Sequence, residues 1–281
     1  MVQLLGVIWY FLCTVFCWAD LPLYYWRMEK EGFYNFGDTL SLKLVERIVG
    51  KPIYLWKKVN NEKKLLAIGS IFQFAQNRDV IWGTGIHGKH LNRKDYSFEE
   101  LDVRAVRGPL TKQFLIDHFG IACPEVYGDP ALLTPYFFPE FKRKNPTIDY
   151  LIIPHYREAA LFPKEFYPNV VYPTDPMEEV IEKILDAKLV ISSALHGIIV
   201  AEAFGIPARM LRVTEREPMF KYLDYYYGTG RFDFTFATSI EEALALGGEA
   251  PFECDLQKLY ETFPFDYWPE LEPIKLDIPH D

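Results

Sequence analysis

The chain has 281 residues, 49% of them hydrophobic, 25% charged and 16% aromatic, enough apolar surface to offset the entropy of ordering a core, so a disordered chain is excluded and one or two globular domains are expected. Its 30 Lys and Arg against 39 Asp and Glu leave a formal net charge of -9, with a pI near 5.3. No global basic field is available to a nucleic-acid backbone, and an anionic small substrate would need a local basic pocket.

Met1 to Ala19 carries no charged side chain and is close in length to a membrane span of roughly 20 residues. Three readings stand: an uncleaved anchor, a secretory signal cleaved after Ala19, and a start-site extension or buried first strand. Arg27, Lys30 and Lys43 all follow the apolar run. By the positive-inside rule they favour a body on the cytoplasmic face of a membrane, tethered or peripheral, with the secretory pathway as the alternative. The cysteines at 13, 17, 123 and 254 show no C-x-x-C spacing, so neither a disulfide framework nor a metal site is expected.

From Asp20 onward short apolar strands alternate with helical stretches, the pattern of an α/β protein with parallel sheets. Leu21–Trp26 reads as a strand, Asn35-Phe36-Gly37-Asp38 as a turn with a helix cap at its end, and Thr39–Val49 as a helix with apolar residues at helical spacing. Strands follow at 65–68, 80–82, 103–106 and 125–127, with a helix over 108–118 opened by Pro109. The proline- and charge-rich segment 135–146 reads as a linker. Beyond it, strands are expected at 150–153, 189–192 and 208–213 and helices at 176–186 and 197–204. The expected fold is two Rossmann-like domains facing across a cleft, at 20–140 and 147–250, preceded by the apolar segment 1–19 and followed by a tail at 251–281.

Ser192 and Ser193 end a buried strand, and His196-Gly197 opens the next helix. The free N–H groups of a helix start favour an anion, and a histidine there is a titratable donor beside it. Arg104 and Arg107 lie close to a Gly-Pro helix start, where paired guanidiniums suit a carboxylate or phosphate, although a surface ion pair accounts for them equally well. Gly37 permits close backbone approach, and Asp38 is read both as a helix cap and as a ligand contact. Gly69-Ser70, Gly83-Thr84-Gly85 and Gly128-Asp129-Pro130 recur at strand ends without completing a dinucleotide or P-loop fingerprint. His155 and Arg157 directly follow a strand, and the aromatic run Tyr222–Tyr227 offers rings for stacking on a sugar or for core packing.

In this order, Asn35-to-Asp38, Ile68-to-Ser70, Trp82-to-Gly85, the Arg104 and Arg107 segment, Gly128-to-Pro130, Pro154-to-Tyr156 and Ser192-to-Pro207 resemble the polysaccharide pyruvyltransferase family. The resemblance spans about Leu21 to Arg231. It implies a fold like that of GT-B glycosyltransferases and transfer of pyruvate from phosphoenolpyruvate to a sugar of a polysaccharide or lipid-linked oligosaccharide as a ketal, with no cofactor and no metal. His196 matches the family's histidine and Arg107 its arginine ahead of the mid-domain helix. Many members carry an arginine two residues before the histidine, where this chain has Ala194; Arg104, Arg157 or Arg231 is then left to supply the charge. The implied catalytic groups are His196, as acid or phosphate ligand, and Asp38 or Asp129 as base. The implied donor-binding set is Arg107, Arg104, Ser193, Leu195, Gly197, Gly37, His155 and Arg157. A GT-B glycosyltransferase using a nucleotide sugar and a noncatalytic membrane-tethered glycan-binding protein are the alternatives.

Overall fold

The computed structural model describes residues 21–27, 34–56, 63–143 and 145–278. The apolar segment 1–19, on which the anchor and signal readings fall, lies outside the described residues. Two parallel four-stranded sheets organise the chain. The first is β1 (Leu23–Tyr24), β2 (Leu65–Leu66), β3 (Val80–Trp82) and β4 (Asp102–Ala105), and the second β5 (Leu151–Ile153), β6 (Val190–Ser192), β7 (Ala208–Leu211) and β8 (Phe236–Ala237).

Both sheets are wound alike. Leu23 bonds Tyr54 and Trp56 on one side, while β2 pairs with the other side of β1. In the second sheet Ile152 likewise bridges Val170 on one side, and β6 lies on the other. The chain therefore leaves the first strand of each sheet to one side and returns to the opposite side. That reversal makes a crevice at the carboxyl ends of β1 and β2, and again at those of β5 and β6, which is where open parallel sheets bind ligands.

The four helices expected from the sequence pattern are present with shifted ends, whereas the strand expected at 125–127 is reduced to a single bridge between Val106 and Tyr127. Helix α1 (Phe36–Val49) is capped by Asn35, whose Oδ1 accepts from the Gly37 N–H at 3.0 Å. Asp38 is thus not the cap, and its carboxylate is left for other work. Helix α2 (Pro109–Phe119) opens at Pro109, and α3 (Thr134–Phe137) stands at the start of the expected linker, whose Phe138 is buried. After α4 (Met177–Leu185), α5 (Leu195–Ala203) begins two residues before its expected start, so His196 sits inside its first turn. Helices α6 (Phe220–Gly228), α7 (Ile240–Leu246) and α8 (Leu256–Glu261) complete the chain.

Strand residues alternate between faces, and the core divides accordingly. Leu66, Ile81 and Val106 pack on the outer face of the first sheet, and Ile152, Ile191 and Leu211 on that of the second. Leu65, Val80 and Trp82 share one continuous apolar cluster with Leu151, Ile153, Val190 and the fully buried Ile198 and Ile199 of α5. Below the crevice the two halves are therefore joined by core rather than parted by solvent. Residues 251–278, expected as a tail, belong to that core: Leu259, Phe263 and Trp268 are buried in it, and the Trp82 Nε1–H donates to the Leu259 carbonyl at 2.9 Å.

Helix α6 fastens the halves a second time. The Asp224 carboxylate accepts from the Thr111 N–H at 2.9 Å and from the Thr111 hydroxyl at 2.7 Å, capping the start of α2 in the other half of the chain. The fit is close, because a side chain on Gly108 would meet the Asp224 carbonyl oxygen at 1.8 Å.

Candidate active site

A cavity of about 250 Å³ opens where the crevices of the two sheets meet. Its lining comes from the ends of β1 (Trp26), β2 (Ser70), β5 (His155, Arg157) and β6 (Leu195, His196), with Asp38 from the first turn of α1 and Lys221 from α6. The placement follows from parallel winding, which brings the residues after each strand to one end of its sheet.

At one end of the cavity His196 rests on α1. A Cβ on Gly37 would lie 2.0 Å from the imidazole Nδ1 and 2.3 Å from Cγ, so glycine is what lets the ring approach the helix backbone. Behind the ring, Asp129 is fully buried. Its Oδ1 accepts from the Ala131 N–H at 3.0 Å, while Oδ2 lies 3.8 Å from His196 Nε2, too far for a hydrogen bond, and both of these buried atoms lack a partner. Burial, and then the positive charges of Arg107 and Lys221, hold the His196 pKa down to about 3. Burial pushes Asp38 up to about 7 against the pull of Lys221, with Asp129 adding to the rise, and lifts Asp129 itself to about 6. The cavity wall thus holds a neutral imidazole and a carboxyl group poised near neutrality.

The cavity also carries a basic cluster. Glu217 receives Lys221 at 2.6 Å, Lys89 at 2.9 Å, His87 at 3.2 Å, Arg157 at 3.5 Å and His155 at 3.8 Å. These charges and hydrogen bonds hold the Glu217 carboxyl well below the usual carboxylate range in spite of its burial. Burial and the neighbouring Lys221 charge push His155 down to about 3, and burial lowers His87 as well.

The expected site residues divide into three groups. Asp38, His155, Arg157, Leu195 and His196 line the cavity, with Gly37 directly beneath His196. Asp129, Arg107, Ser193 and Gly197 stand behind it as support. Arg107 is fully buried and donates to Asp224, to the Ile86 carbonyl and, at 2.6 Å, to the Ser70 hydroxyl, so it reaches the cavity through Ser70. Gly85 makes room for it, since a Cβ there would lie 2.4 Å from the guanidinium carbon. Ser193 Oγ bridges Glu158 at 2.6 Å and the His155 N–H at 2.8 Å, fixing the loop that carries His155. Gly197 packs on Ser192, whose Oγ accepts from the Ala194 N–H at 3.0 Å.

Arg104 is the correction among the expected donor residues. Its guanidinium is held by Asp102 and Asp266, with contacts of 2.6 to 3.0 Å, away from the cavity. Arg104 lies on β4, whereas Arg107 lies in the bend beyond its end, and their side chains go to different partners. Nor does Arg231 replace the arginine missing at Ala194, because it is paired with Glu202 in the core. The Tyr222, Tyr225 and Tyr226 rings are buried too, and so serve packing rather than stacking on a sugar. Lys221, Glu217, Lys89 and His87 were not expected at the site. They lie on α6 and on loops after β3 and β7, and no local motif marks them.

The family model described as polysaccharide pyruvyl transferase matches residues 31–214, which include Asp38, Arg107, Asp129 and His196. The chain belongs to this family. Among similar proteins, the uncharacterized protein L143 of Acanthamoeba polyphaga mimivirus is 30% identical over 233 residues, covering 78% of this chain and 80% of L143. The succinoglycan biosynthesis protein ExoV of Rhizobium meliloti (strain 1021) is 27% identical over 212 residues, covering 72% of this chain and 63% of ExoV. A functionally uncharacterized protein of Klebsiella pneumoniae, KP1_0663, overlays 79% of this chain and 92% of its own with a TM-score of 0.40 at 11% identity. The chain is a polysaccharide pyruvyltransferase enzyme, which sets aside the noncatalytic glycan-binding alternative.

Proposed function

We propose that the cavity takes phosphoenolpyruvate as donor and transfers its pyruvyl unit to two hydroxyls of one sugar as a cyclic ketal. The observation that carries the reading is that Asp38, a carboxyl with a pKa of about 7, and a neutral His196 line one small cavity that also holds a basic cluster. Pairs of titratable groups pushed apart by their surroundings are the usual basis of acid and base roles.

The roles differ from the family-based expectation. Protonated Asp38 gives its proton to the methylene carbon of the donor, leaving an oxocarbenium-like centre at C2. Neutral His196 accepts the proton of the first sugar hydroxyl as its oxygen bonds to C2. The second hydroxyl then bonds to C2 as the C2–O bond to phosphate breaks; its proton passes to the Asp38 carboxylate, restoring the acid, and the proton held by His196 goes to the departing phosphate oxygen, so that hydrogen phosphate leaves and the imidazole is neutral again. Asp129 acts behind His196, stabilising the imidazolium that forms, and Ser70, held by Arg107, is a hydroxyl donor toward the donor anion. Phosphoenolpyruvate is a co-substrate, so the scheme calls for no cofactor.

The finer architecture belongs to the same reading. The matching strand order of the two sheets supports two Rossmann-like units facing across the cavity, in a GT-B-like arrangement. The acceptor is a saccharide, and the apolar segment 1–19 is in keeping with a lipid-linked form handled at the cytoplasmic face of a membrane. Incubation with phosphoenolpyruvate and an unpyruvylated bacterial oligosaccharide tests the proposal. Stoichiometric phosphate release with a new ketal methyl resonance supports it; phosphate release without the ketal, or no dependence on phosphoenolpyruvate, contradicts it.

A further inference from the structure

Glu217 is the most heavily contacted carboxylate of the cavity. Five basic side chains from three separate segments converge on it: His87 and Lys89 after β3, His155 and Arg157 after β5, and Lys221 on α6. A structural ion pair needs one partner, and surface pairs contribute little to stability. Here three cations surround one carboxylate, so two positive charges remain uncompensated at the wall of a cavity.

We infer that the Glu217 carboxylate occupies an anion subsite whose ligand is the phosphate group of the donor, and that the donor binds by displacing it. A phosphate dianion matches the surplus of two charges. Its three acceptor oxygens also suit point donors such as ammonium and imidazole N–H groups better than they suit a single planar fork. His87 Nε2, 3.2 Å from Glu217, is a donor that passes to the phosphate when the carboxylate moves away. Lys221 takes the place of the arginine absent at position 194. It stands one turn before Asp224 on the same face of α6, so the helix that holds Arg107 also delivers the ammonium to the cavity. Glu217 itself lies in the loop just before α6, with Pro218 between it and the helix, where a side chain can turn away without disturbing the core. In its absence the three cations would repel one another, so Glu217 keeps the subsite assembled between turnovers.

The identity of the ligand rests on the proposed donor, but the subsite is tested apart from turnover. Calorimetric titration of inorganic phosphate, and separately of phosphoenolpyruvate, into the full-length protein and its Glu217→Gln, Glu217→Asp and Lys89→Met variants is decisive. Removing the competing charge should tighten phosphate binding about tenfold or more in Glu217→Gln, leave Glu217→Asp near the parent, and weaken binding in Lys89→Met. Lys89 is one-third exposed, so that variant does not depend on refilling a core. Phosphate binding that is unchanged or weaker in Glu217→Gln and unaffected in Lys89→Met overturns the subsite. If phosphate tightens as expected while phosphoenolpyruvate neither binds nor reacts, the subsite stands and the donor assignment fails.

Discussion

Asp38 shows how one side chain connects sequence, stability and chemistry. Asn35 caps α1, so the Asp38 carboxylate is free to face the cavity, where burial raises its pKa to about 7. A carboxyl whose folded pKa lies above its unfolded value of about 3.9 binds more protons in the native state between the two values, so stability falls as pH rises through that window and stays low above it. Asp38→Asn is therefore expected to raise the melting temperature at pH 8 by a few degrees while leaving it unchanged near pH 4, and to abolish turnover. Equal melting temperatures of parent and variant at pH 8 would show that the carboxyl is not strained by burial. In the parent, kcat should decline above about pH 7 as the acid is lost. His196 and Asp38 were legible in the sequence because each lies at a helix start beside a strand end or turn. Lys221 and Glu217 were not, since a Glu and a Lys four residues apart read as an ordinary surface pair. Arg104 misled for a related reason: closeness in sequence says nothing about a shared destination when one residue lies on a strand and the other in the bend after it.

At the scale of elements, the glycines at strand ends acquire distinct tasks. Gly85 clears space for the Arg107 guanidinium, and Gly37 lets α1 and the His196 ring touch. Gly37→Ala pits two effects against each other. Alanine favours a helix by about 1 kcal/mol over glycine, whereas the added methyl group overlaps the imidazole, which must tilt toward the cavity. Tilting cannot relieve the 2.7 Å approach to the His196 Cβ, so α1 and α5 must also part, and a net loss of stability is expected. Turnover should fall about 100-fold, the typical cost of misplacing a reacting group by roughly 1 Å. Near-parental activity in Gly37→Ala would mean that the position of His196 is not critical. Most strands and helices were readable from apolar periodicity, with ends shifted by a few residues. The merging of 251–278 into the core was not, because Leu259, Phe263 and Trp268 form a buried face only once β3 supplies Trp82 to pack against.

Across the whole molecule, two sheets wound in the same order bring the ends of their first strands together, and α6 locks the halves through Asp224. That arrangement concentrates in one cavity a carboxyl group from α1, an imidazole from α5 and a basic cluster from loops and α6. Periodicity made the two α/β halves legible; their shared core was not, because it depends on which faces meet. The central claim is that pyruvyl transfer occurs in this cavity and not at the arginine of β4. Its most direct test is the turnover of His196→Ala and Arg104→Ala side by side, with phosphoenolpyruvate and an acceptor oligosaccharide, after circular dichroism has established that both are folded. His196→Ala is expected to lose about 10²- to 10⁴-fold in rate, as for removal of one proton-transfer group. Arg104→Ala should stay close to the parent, since it removes only an ion-pair partner outside the cavity. A His196→Ala enzyme that works as well as the parent, or an Arg104→Ala enzyme that fails while folded, would contradict the account.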